Sequence, residues 1–191
     1  PKSKIGKVFG VNHPIIFGLQ QRVKYSLPLD TVKMYFDPRW KQLFAWVIPE
    51  SETIARIGIG SKQNPVPLLK NIQKRLGIQQ KDIIDTQGGT IPFGYPKNVA
   101  FNRVVLIGDA ACMVKATTGG GIVMIINAAK ILSLAIEKAI KQNDFSEQFL
   151  KNYYELPVLR SVGYNLKIHY FIRLILMRFK RENFNKFFKL Y

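Results

Sequence analysis

The first half of the chain alternates short apolar segments with turn-forming residues. Residues 19–25, 31–36, 43–48 and 53–59 are rich in β-branched and aromatic side chains, and prolines and aspartates separate them. This alternation predicts an antiparallel meander. From Pro65 to Leu76 the apolar residues instead recur at helical spacing, and Gly77 stands where a C-cap glycine is expected. The pattern therefore predicts a helix that lies across or beside the sheet.

The second half of the chain is less regular and more apolar. Residues 85–96 hold so many glycines and prolines that we place a connection between two structural units there. Residues 103–107 are mostly apolar, which predicts a strand buried on both faces of a parallel sheet. Residues 122–140 are apolar on most faces, which predicts a helix packed against other protein on nearly all sides. Asp144 and Glu147 predict a capping box for a further helix.

The composition is that of a folded globular chain with a strong positive charge. Its 191 residues, 47% of them hydrophobic, exclude a disordered or collagen-like chain and fit one large domain or two small ones. Lysine and arginine outnumber aspartate and glutamate by 29 to 12, and the net charge of +17 favours polyanionic partners or an anionic membrane surface. Residues 160–191 alone carry eight basic residues against one acidic residue.

Cysteine and histidine are too few for a disulfide framework or a zinc site. Cys112 is the one cysteine and the chain has two histidines, so we expect a reducing, cytoplasmic location and no bound metal. No uncharged apolar run reaches the ~18 to 20 residues that a membrane-spanning helix needs. Because the sequence begins at Pro1 and shows no signal peptide, we expect it to be a piece of a longer protein.

Two segments that lie close together in the sequence form the strongest candidate site. The apolar run 103–107 ends at Gly108 and Asp109, so a carboxylate stands at the carboxyl end of a predicted strand. The glycines at 119–121 precede Ile122, where free N–H groups at a helix N-terminus can face an anionic or electron-rich ligand. Either segment alone is explained as well by a capped turn or a flexible hairpin. Together they suit a ligand with hydroxyl groups for Asp109 and an electron-rich edge for the amides.

The same residues resemble a known family. Residues 103–122, which read RVVLIGDAACMVKATTGGGI, closely resemble the second flavin-binding motif of the geranylgeranyl reductase family, which has the FAD-dependent fold shared with aromatic hydroxylases. Upstream, FAWVIP at residues 44–49 and the later Gly58-Ile59-Gly60 are similar to that family's Tyr-x-Trp-x-Phe-Pro and Gly-x-Gly patterns. Phe44 departs from the pattern and lacks the hydroxyl that would bond a substrate head group.

The resemblance implies an FAD site and a prenyl-chain site. The implied cofactor-binding residues are Gly108, Asp109, Ala110, Thr118, Gly119, Gly120, Gly121 and Ile122. Asp109 would bond the ribityl hydroxyls, and the glycine loop with the following helix would face the pyrimidine edge of the flavin and stabilise its anionic reduced form. The implied substrate-binding residues are Phe44, Trp46, Pro49 and Pro92, with the two aromatic residues as a cavity wall and Pro92 near the flavin.

The implied fold is of mixed class, α+β with an α/β part. Residues 1–88 would form a substrate domain with an antiparallel sheet and a helix, residues 89–142 the C-terminal part of an FAD-binding domain, and residues 143–191 a basic helical region. No Gly-x-Gly-x-x-Gly fingerprint for the ADP half of FAD occurs in the sequence. We therefore expect weak or no FAD binding by this chain alone, and self-association through the open edge of the strand at 104–107.

The resemblance implies a reaction that saturates isolated carbon–carbon double bonds in the geranylgeranyl chains of isoprenoid lipids. An unactivated alkene offers little charge to stabilise, so catalysis would rest on positioning in a dry, aromatic-lined cavity. The sequence identifies no proton donor, and the catalytic residues stay unassigned. The implied partners are a polyprenyl lipid, an electron donor of the NAD(P)H or ferredoxin type, and an anionic surface on the inner face of the membrane.

Two rival functions stay open at this stage. A flavin-dependent halogenase is the nearest, because residues 46–49 match the latter part of that family's Trp-x-Trp-x-Ile-Pro motif. A nucleic-acid-binding module is the other, because aromatic and basic residues are interleaved at 170–173 and 184–189. The basic C-terminal region has two further interpretations, as helices packed on the domain or as an attachment to anionic lipid.

Overall fold

The computed structural model describes residues 3–37, 40 and 42–178. The chain divides into two compact units. The first, here called the helical unit, combines Pro1–Ile15 with Ile91–Arg173. The second, here called the sheet unit, combines Ile16–Thr90 with Leu174–Tyr191. The three-part division at residues 88 and 142 stays a prediction, and residues 179–191, with the aromatic and basic run at 184–189, lie outside the described part.

The sheet unit is built on five strands and one long helix. The strands are β1 (Ile15–Lys24), β2 (Lys33–Tyr35), β3 (Ala45–Pro49), β4 (Ile54–Ser61) and β5 (Ile83–Pro92), and they lie in the order β2-β3-β4-β1-β5. The expected mixture of antiparallel sheet and helix is confirmed. The simple meander is wrong for β1, which pairs with β4 over eight residues from Phe17 to Lys24 instead of lying beside the three-residue β2. The longer partner satisfies more backbone hydrogen bonds.

The breaker-rich stretch expected to be a connection contains the fifth strand. β5 continues through Gly88 and Gly89 up to Pro92, so the stretch is a strand rather than an irregular connection, although the division between the two units falls inside it, between Thr90 and Ile91. A Cβ built on Gly88 would meet only ordinary contacts, and one on Gly89 would meet nothing within 4 Å. These glycines therefore do not interrupt the strand.

The predicted helix of the sheet unit is confirmed at both ends. α2 (Pro65–Leu76) begins with a cap in which the Asn64 side chain accepts a hydrogen bond from the Val66 amide at 3.0 Å. It ends at Gly77, whose φ of 72° lies in the left-handed region that glycine tolerates. The buried face of α2 packs on one face of the sheet, and this core contains Val23, Leu27, Trp40, Ala45, Val47, Ala55, Ile57, Ile59, Leu68, Leu69 and Ile72.

The helical unit contains a short hairpin and several helices. Its elements are α1 (Lys4–Val8), β6 (Ala100–Phe101), β7 (Val104–Val105), a 3-10 turn (Gly108–Ala111), α3 (Ile122–Gln142), α4 (Glu147–Leu150), α5 (Leu156–Val158) and α6 (Tyr164–Arg178). Two π-helical segments, Lys151–Glu155 and Leu159–Gly163, join α4, α5 and α6 into one uninterrupted helical run over residues 147–178. Pro157, which has no amide hydrogen to donate, lies inside this run and accompanies the change of register.

Two expectations about this unit are wrong in detail. Residues 103–107 are not a buried parallel strand: β7 has two residues, pairs antiparallel with β6, and follows Arg103 with a φ of 59° in a tight turn. The helix after residue 146 is capped by Ser146, whose hydroxyl accepts from the Phe149 amide at 3.3 Å. Asp144, two residues before the cap, instead accepts from the Ser146 amide at 2.8 Å.

α3 has the predicted bounds within two residues but not the predicted burial. Met124, Ala128, Ala135 and Ala139 form its buried face. On other faces of the helix large apolar side chains are exposed, with Ile122 at 77%. The described residues therefore cover one stripe of α3 rather than nearly all sides. None of the helices in the described ranges is both long and apolar enough to cross a bilayer.

Two consecutive residues of the long helical run hold the β6–β7 hairpin. The buried Glu155 carboxylate accepts hydrogen bonds from the amides of Val99 and Ala100 at 2.7 and 2.9 Å. The buried Tyr154 hydroxyl donates to the Leu106 carbonyl at 2.8 Å. Burial also raises the pKa of the Tyr154 hydroxyl, which keeps its proton for this bond. These contacts fix the segment that leads directly into Gly108.

We expect Glu155→Ala to destabilise the protein by roughly 2 to 5 kcal/mol, because two buried amides lose their acceptor. Glu155→Gln keeps one acceptor oxygen and should lose less. Glu147→Ala is the matched control, since Glu147 lies on the surface of the same helical run and pairs with Lys151 through an exposed hydrogen bond. Urea denaturation followed by circular dichroism measures the differences. Equal losses for the Glu155 and Glu147 alanine variants would contradict this assignment.

Candidate cofactor and substrate sites

The Gly108 turn presents an acidic side chain to solvent. Gly108 has a φ of 68°, and the turn closes through a hydrogen bond from the Met113 amide to the Gly108 carbonyl at 2.9 Å. The Cys112 amide donates to the Asp109 carbonyl at 3.1 Å. Asp109 itself is exposed, whereas Ala111 and Cys112 behind it are buried. The turn therefore holds a carboxylate outward on a rigid base.

Cys112 provides packing rather than chemistry in this turn. Its sulfur lies 3.3 Å from where a Cβ on Gly94 would stand, so the segment after β5 packs directly on the turn. Burial, and secondarily the Asp109 carboxylate, raise the pKa of the Cys112 thiol to about 12. A thiol with this pKa stays protonated at neutral pH and is a poor nucleophile.

The glycine loop is ordered by its own backbone. The Lys115 amide donates to the Gly120 carbonyl at 3.0 Å, and the Gly119 amide donates to the Lys115 carbonyl at 2.8 Å. The Thr118 hydroxyl accepts from the Gly120 amide at 3.3 Å. A Cβ on Gly121 would lie 3.1 Å from the Met113 carbonyl oxygen, a shorter distance than in nine of ten contacts that Cβ atoms make in proteins. The loop is therefore a closed turn packed on the Gly108 segment, not a flexible hairpin.

The N-terminus of α3 has no side-chain cap. Gly121 occupies the cap position and provides no side-chain acceptor, whereas Asn64 and Ser146 cap their helices. The first amides of a helix have no partner within the helix, and their dipoles add at this end. Ile122 and Val123 are largely exposed, so this end of the helix lies at the surface of its unit.

A single side chain joins the two segments. Cβ atoms built on Gly108 and Gly121 would lie 3.5 and 3.7 Å from the same Ile125 Cδ1 atom. The structure thus brings together the turn that carries Asp109 and the uncapped start of α3. Sequence reasoning missed Ile125, although its position four residues after Gly121 places it on the same face of the helix as that glycine.

The aromatic residues expected in the substrate site lie together on the sheet unit. Phe44 and Trp46 alternate with the buried Ala45 and so lie on the sheet face opposite α2. Their rings meet edge to face with centroids 6.1 Å apart. The Trp46 indole N–H donates to Gln20 Oε1 at 3.0 Å.

The Gly-x-Gly pattern in β4 makes room for this face. Gly58 pairs directly with Trp46, and a Cβ on Gly58 would lie 2.3 Å from the indole ring. A Cβ on Gly60 would lie 2.4 Å from Leu43, a residue that sequence reasoning did not single out. At both glycines a neighbouring side chain therefore lies directly against the backbone of β4.

The four expected substrate-binding residues fall in different units. Phe44, Trp46 and Pro49 belong to the sheet unit, with Pro49 at the end of β3. Pro92 is the last residue of β5 and belongs to the helical unit, where it is buried.

Comparison with known proteins places this geometry in a family. A model of the family described as lycopene cyclase protein matches residues 67–191. The chain belongs to this family. The chain is also 27% identical over 148 residues to a digeranylgeranylglycerophospholipid reductase of Methanosarcina acetivorans, a match that covers 73% of this chain and 36% of that protein. The resemblance to the geranylgeranyl reductases is thereby confirmed, and the chain spans about a third of the length of such a relative.

Two solved structures share the fold of this chain. A geranylgeranyl bacteriochlorophyll reductase-like protein of Thermoplasma acidophilum superposes with a TM-score of 0.83 at 22% identity, over 95% of this chain and 49% of that chain. The flavin-dependent halogenase CmlS superposes with a TM-score of 0.61 at 15% identity, over 86% of this chain and 34% of that chain. Both likenesses concern the fold alone.

Gly58→Ala should displace the Trp46 ring, because no Cβ fits 2.3 Å from the indole. We expect a loss of about 1 to 3 kcal/mol in the free energy of unfolding and a shift of tryptophan emission. Gly88→Ala is the control, since its Cβ would meet only contacts of 3.6 Å or more. Fluorescence measured in a Trp40→Phe background isolates Trp46. Unchanged emission in Gly58→Ala would show that the ring does not lie over this glycine.

Proposed function

We propose that this chain forms the C-terminal part of an FAD-dependent reductase that saturates carbon–carbon double bonds in geranylgeranyl chains of isoprenoid lipids. The observation that carries the proposal is that Gly108 and Gly121 both lie against the side chain of Ile125. This packing places the turn that holds Asp109 outward beside the uncapped N-terminus of α3. The sequence likeness to digeranylgeranylglycerophospholipid reductases supports the same assignment.

The residues of this site fit a flavin dinucleotide. Asp109 is an exposed acceptor for hydroxyl groups, as on a ribityl chain. The uncapped amides that start α3 suit the electron-rich edge of a flavin ring, and the helix dipole favours negative charge there. Glycines at 119–121 leave no Cβ between the loop backbone and such a ring. Gly108, Ala110, Thr118 and Ile122 complete the set that would surround it.

The sheet face opposite α2 suits an apolar substrate. Phe44 and Trp46 offer aromatic surface above the glycines of β4, and the Trp46 N–H is already satisfied by Gln20. An alkene has no hydrogen-bonding group, so recognition of this kind rests on apolar contact and shape. With Phe44 in place of tyrosine, this wall lacks a hydroxyl for a substrate head group.

α6 supports attachment to a lipid surface. Large apolar side chains with about half of their surface exposed lie along it, namely Ile168, Phe171, Ile172 and Ile175. Lys167 and Arg178 are exposed on the same helix. Apolar residues that enter the headgroup region, together with basic residues that each contribute roughly 1 kcal/mol near an anionic surface, are typical of peripheral binding.

FAD, when bound and reduced, would supply hydride-transfer chemistry for the double bond, with the two electrons coming from an external donor of the NAD(P)H or ferredoxin type. What these residues contribute is position: the aromatic wall holds the chain, and the carboxylate and amides hold the cofactor. No residue of the described part is assigned as the proton donor.

A cyclase is the second candidate, because the family model carries that description. Ring closure of a polyene is an isomerisation and leaves the mass unchanged, whereas reduction adds two hydrogen atoms for each bond. We expect the product of the complete reading frame, loaded with FAD and reduced with dithionite, to hydrogenate a digeranylgeranyl glycerophospholipid. Mass spectrometry should then show the lipid heavier by two hydrogen atoms for each bond reduced. An isomer of unchanged mass would favour the cyclase, and a halide-dependent product would favour the halogenase.

We expect Asp109→Asn in the same protein to weaken FAD binding by about tenfold, because a charged acceptor of hydroxyl groups contributes roughly 1.5 kcal/mol or more. Asp30→Asn is the control, since Asp30 is exposed in the sheet unit and bonds only Thr31. Isothermal titration with FAD measures both. Equal affinities for the two variants would refute the role of Asp109 without deciding the reaction.

A further inference from the structure

The sheet face opposite α2 changes in character between two neighbouring rows of residues. The first row runs across β3, β4 and β1 and consists of Trp46, Gly58 and Gln20. The second row lies two residues away on each strand and consists of Ile48, Arg56 and Arg22. Residues on the same face of a strand repeat about every 7 Å, so an aromatic ring and two guanidinium groups lie on adjoining rows of one surface.

A single carboxylate holds the two arginines of the second row together. Arg22 donates to Glu50 Oε1 from Nε at 2.8 Å and from Nη2 at 2.6 Å, and Arg56 donates to Oε2 from Nε at 2.9 Å. The hydrogen bond from Arg22 lowers the pKa of Glu50, so the carboxylate stays ionised at neutral pH. Like charges opposite each other on neighbouring strands repel, and Glu50 therefore keeps the two guanidinium groups side by side.

This cluster keeps a positive charge and donors for a second anion, because two guanidinium groups with five N–H donors each share one carboxylate. Within the part of the chain that the structure describes, Arg56 uses only Nε and Arg22 uses Nε and one Nη. Both side chains are more than a third exposed, so a ligand can approach them. Asp85, the carboxylate of β5, instead accepts from the Thr86 amide at 2.7 Å and from the Gln87 side chain at 3.2 Å.

We propose that Arg22 and Arg56 bind the phosphate head group of the lipid whose apolar chain packs on Phe44 and Trp46. The assignment rests on the proposed function, which puts a prenyl chain against these two rings. A guanidinium group donates two parallel hydrogen bonds to phosphate oxygens, and a second guanidinium beside it adds to the attraction. The chain and the head group of a lipid are joined covalently, so an aromatic surface next to a cationic one fits a single amphiphile. The arginines also supply the polar contact that Phe44, without a hydroxyl, cannot make.

Three soluble probes separate the chain from the head group: geraniol carries a prenyl chain alone, inorganic phosphate the anion alone, and geranyl phosphate both. Isothermal titration into the product of the complete reading frame, without a reductant, measures all three affinities. We expect geranyl phosphate to bind about tenfold more tightly than either of the other two probes. Inorganic phosphate that binds as tightly as geranyl phosphate would overturn the proposal, because the arginines would then hold a free anion rather than a lipid head group.

Arg56→Gln should weaken the binding of geranyl phosphate about tenfold and change that of geraniol less than about twofold. Arg56→Lys keeps the charge but not the paired donors, so it should lose less than Arg56→Gln. Lys70→Gln is the control, since it removes an equal charge from an exposed position on α2, which packs on the other face of the sheet. Equal losses in Arg56→Gln and Lys70→Gln, or equal affinities of the unaltered protein for geranyl phosphate and geraniol, would overturn the proposal.

Binding of these probes needs no reduction of a double bond, so the head-group site and the reaction are tested separately. A preference for geranyl phosphate that depends on Arg56 would support the site even if no lipid gained mass with the reduced protein. A lipid that gains mass while the affinity for geranyl phosphate is the same with and without Arg56 would overturn the site and leave the reaction standing.

Discussion

A buried carboxylate on a long helix is the constraint on which the helical unit depends. Glu155 accepts from two consecutive amides, and its neighbour Tyr154 donates to the carbonyl of Leu106, two residues before Gly108. These bonds fix where the hairpin ends and hence where the Gly108 turn begins. Leaving two buried amides without an acceptor would cost more than a typical exposed ion pair contributes. The outward position of Asp109 follows from this interior network.

Glycines that let other groups pack directly on the backbone are the second feature on which the structure depends. Gly121 allows the start of α3 to pack on the Met113 carbonyl, and Gly58 allows the Trp46 ring to pack against the backbone of β4. In both places glycine provides space, since neither residue has a left-handed φ. The proposed cofactor site and the aromatic wall thus depend on missing Cβ atoms as much as on the functional side chains.

Local signals predicted the helices better than the sheet. Asn64, Pro65 and Gly77 lie next to one another or within one helix, so the bounds of α2 follow from short-range chemistry. The pairing of β1 with β4 depends on a partner thirty residues or more away, and β5 passes through glycines that usually end strands. At the site, the motif indicated Asp109 and the glycine loop, and helical spacing places Ile125 on the same face as Gly121, whereas the packing of Ile125 against the Gly108 turn is a tertiary contact that no local pattern encodes.

A flavin at this site would lie against the uncapped start of α3. Hydrogen exchange of the complete reading-frame product with and without FAD tests this placement residue by residue. We predict slower exchange at the amides of Ile122, Val123 and Met124 when FAD is bound, and no change at the first turn of α2, where the Asn64 side chain already bonds the Val66 amide. Saturating FAD that leaves exchange at those three amides unaltered would contradict this placement.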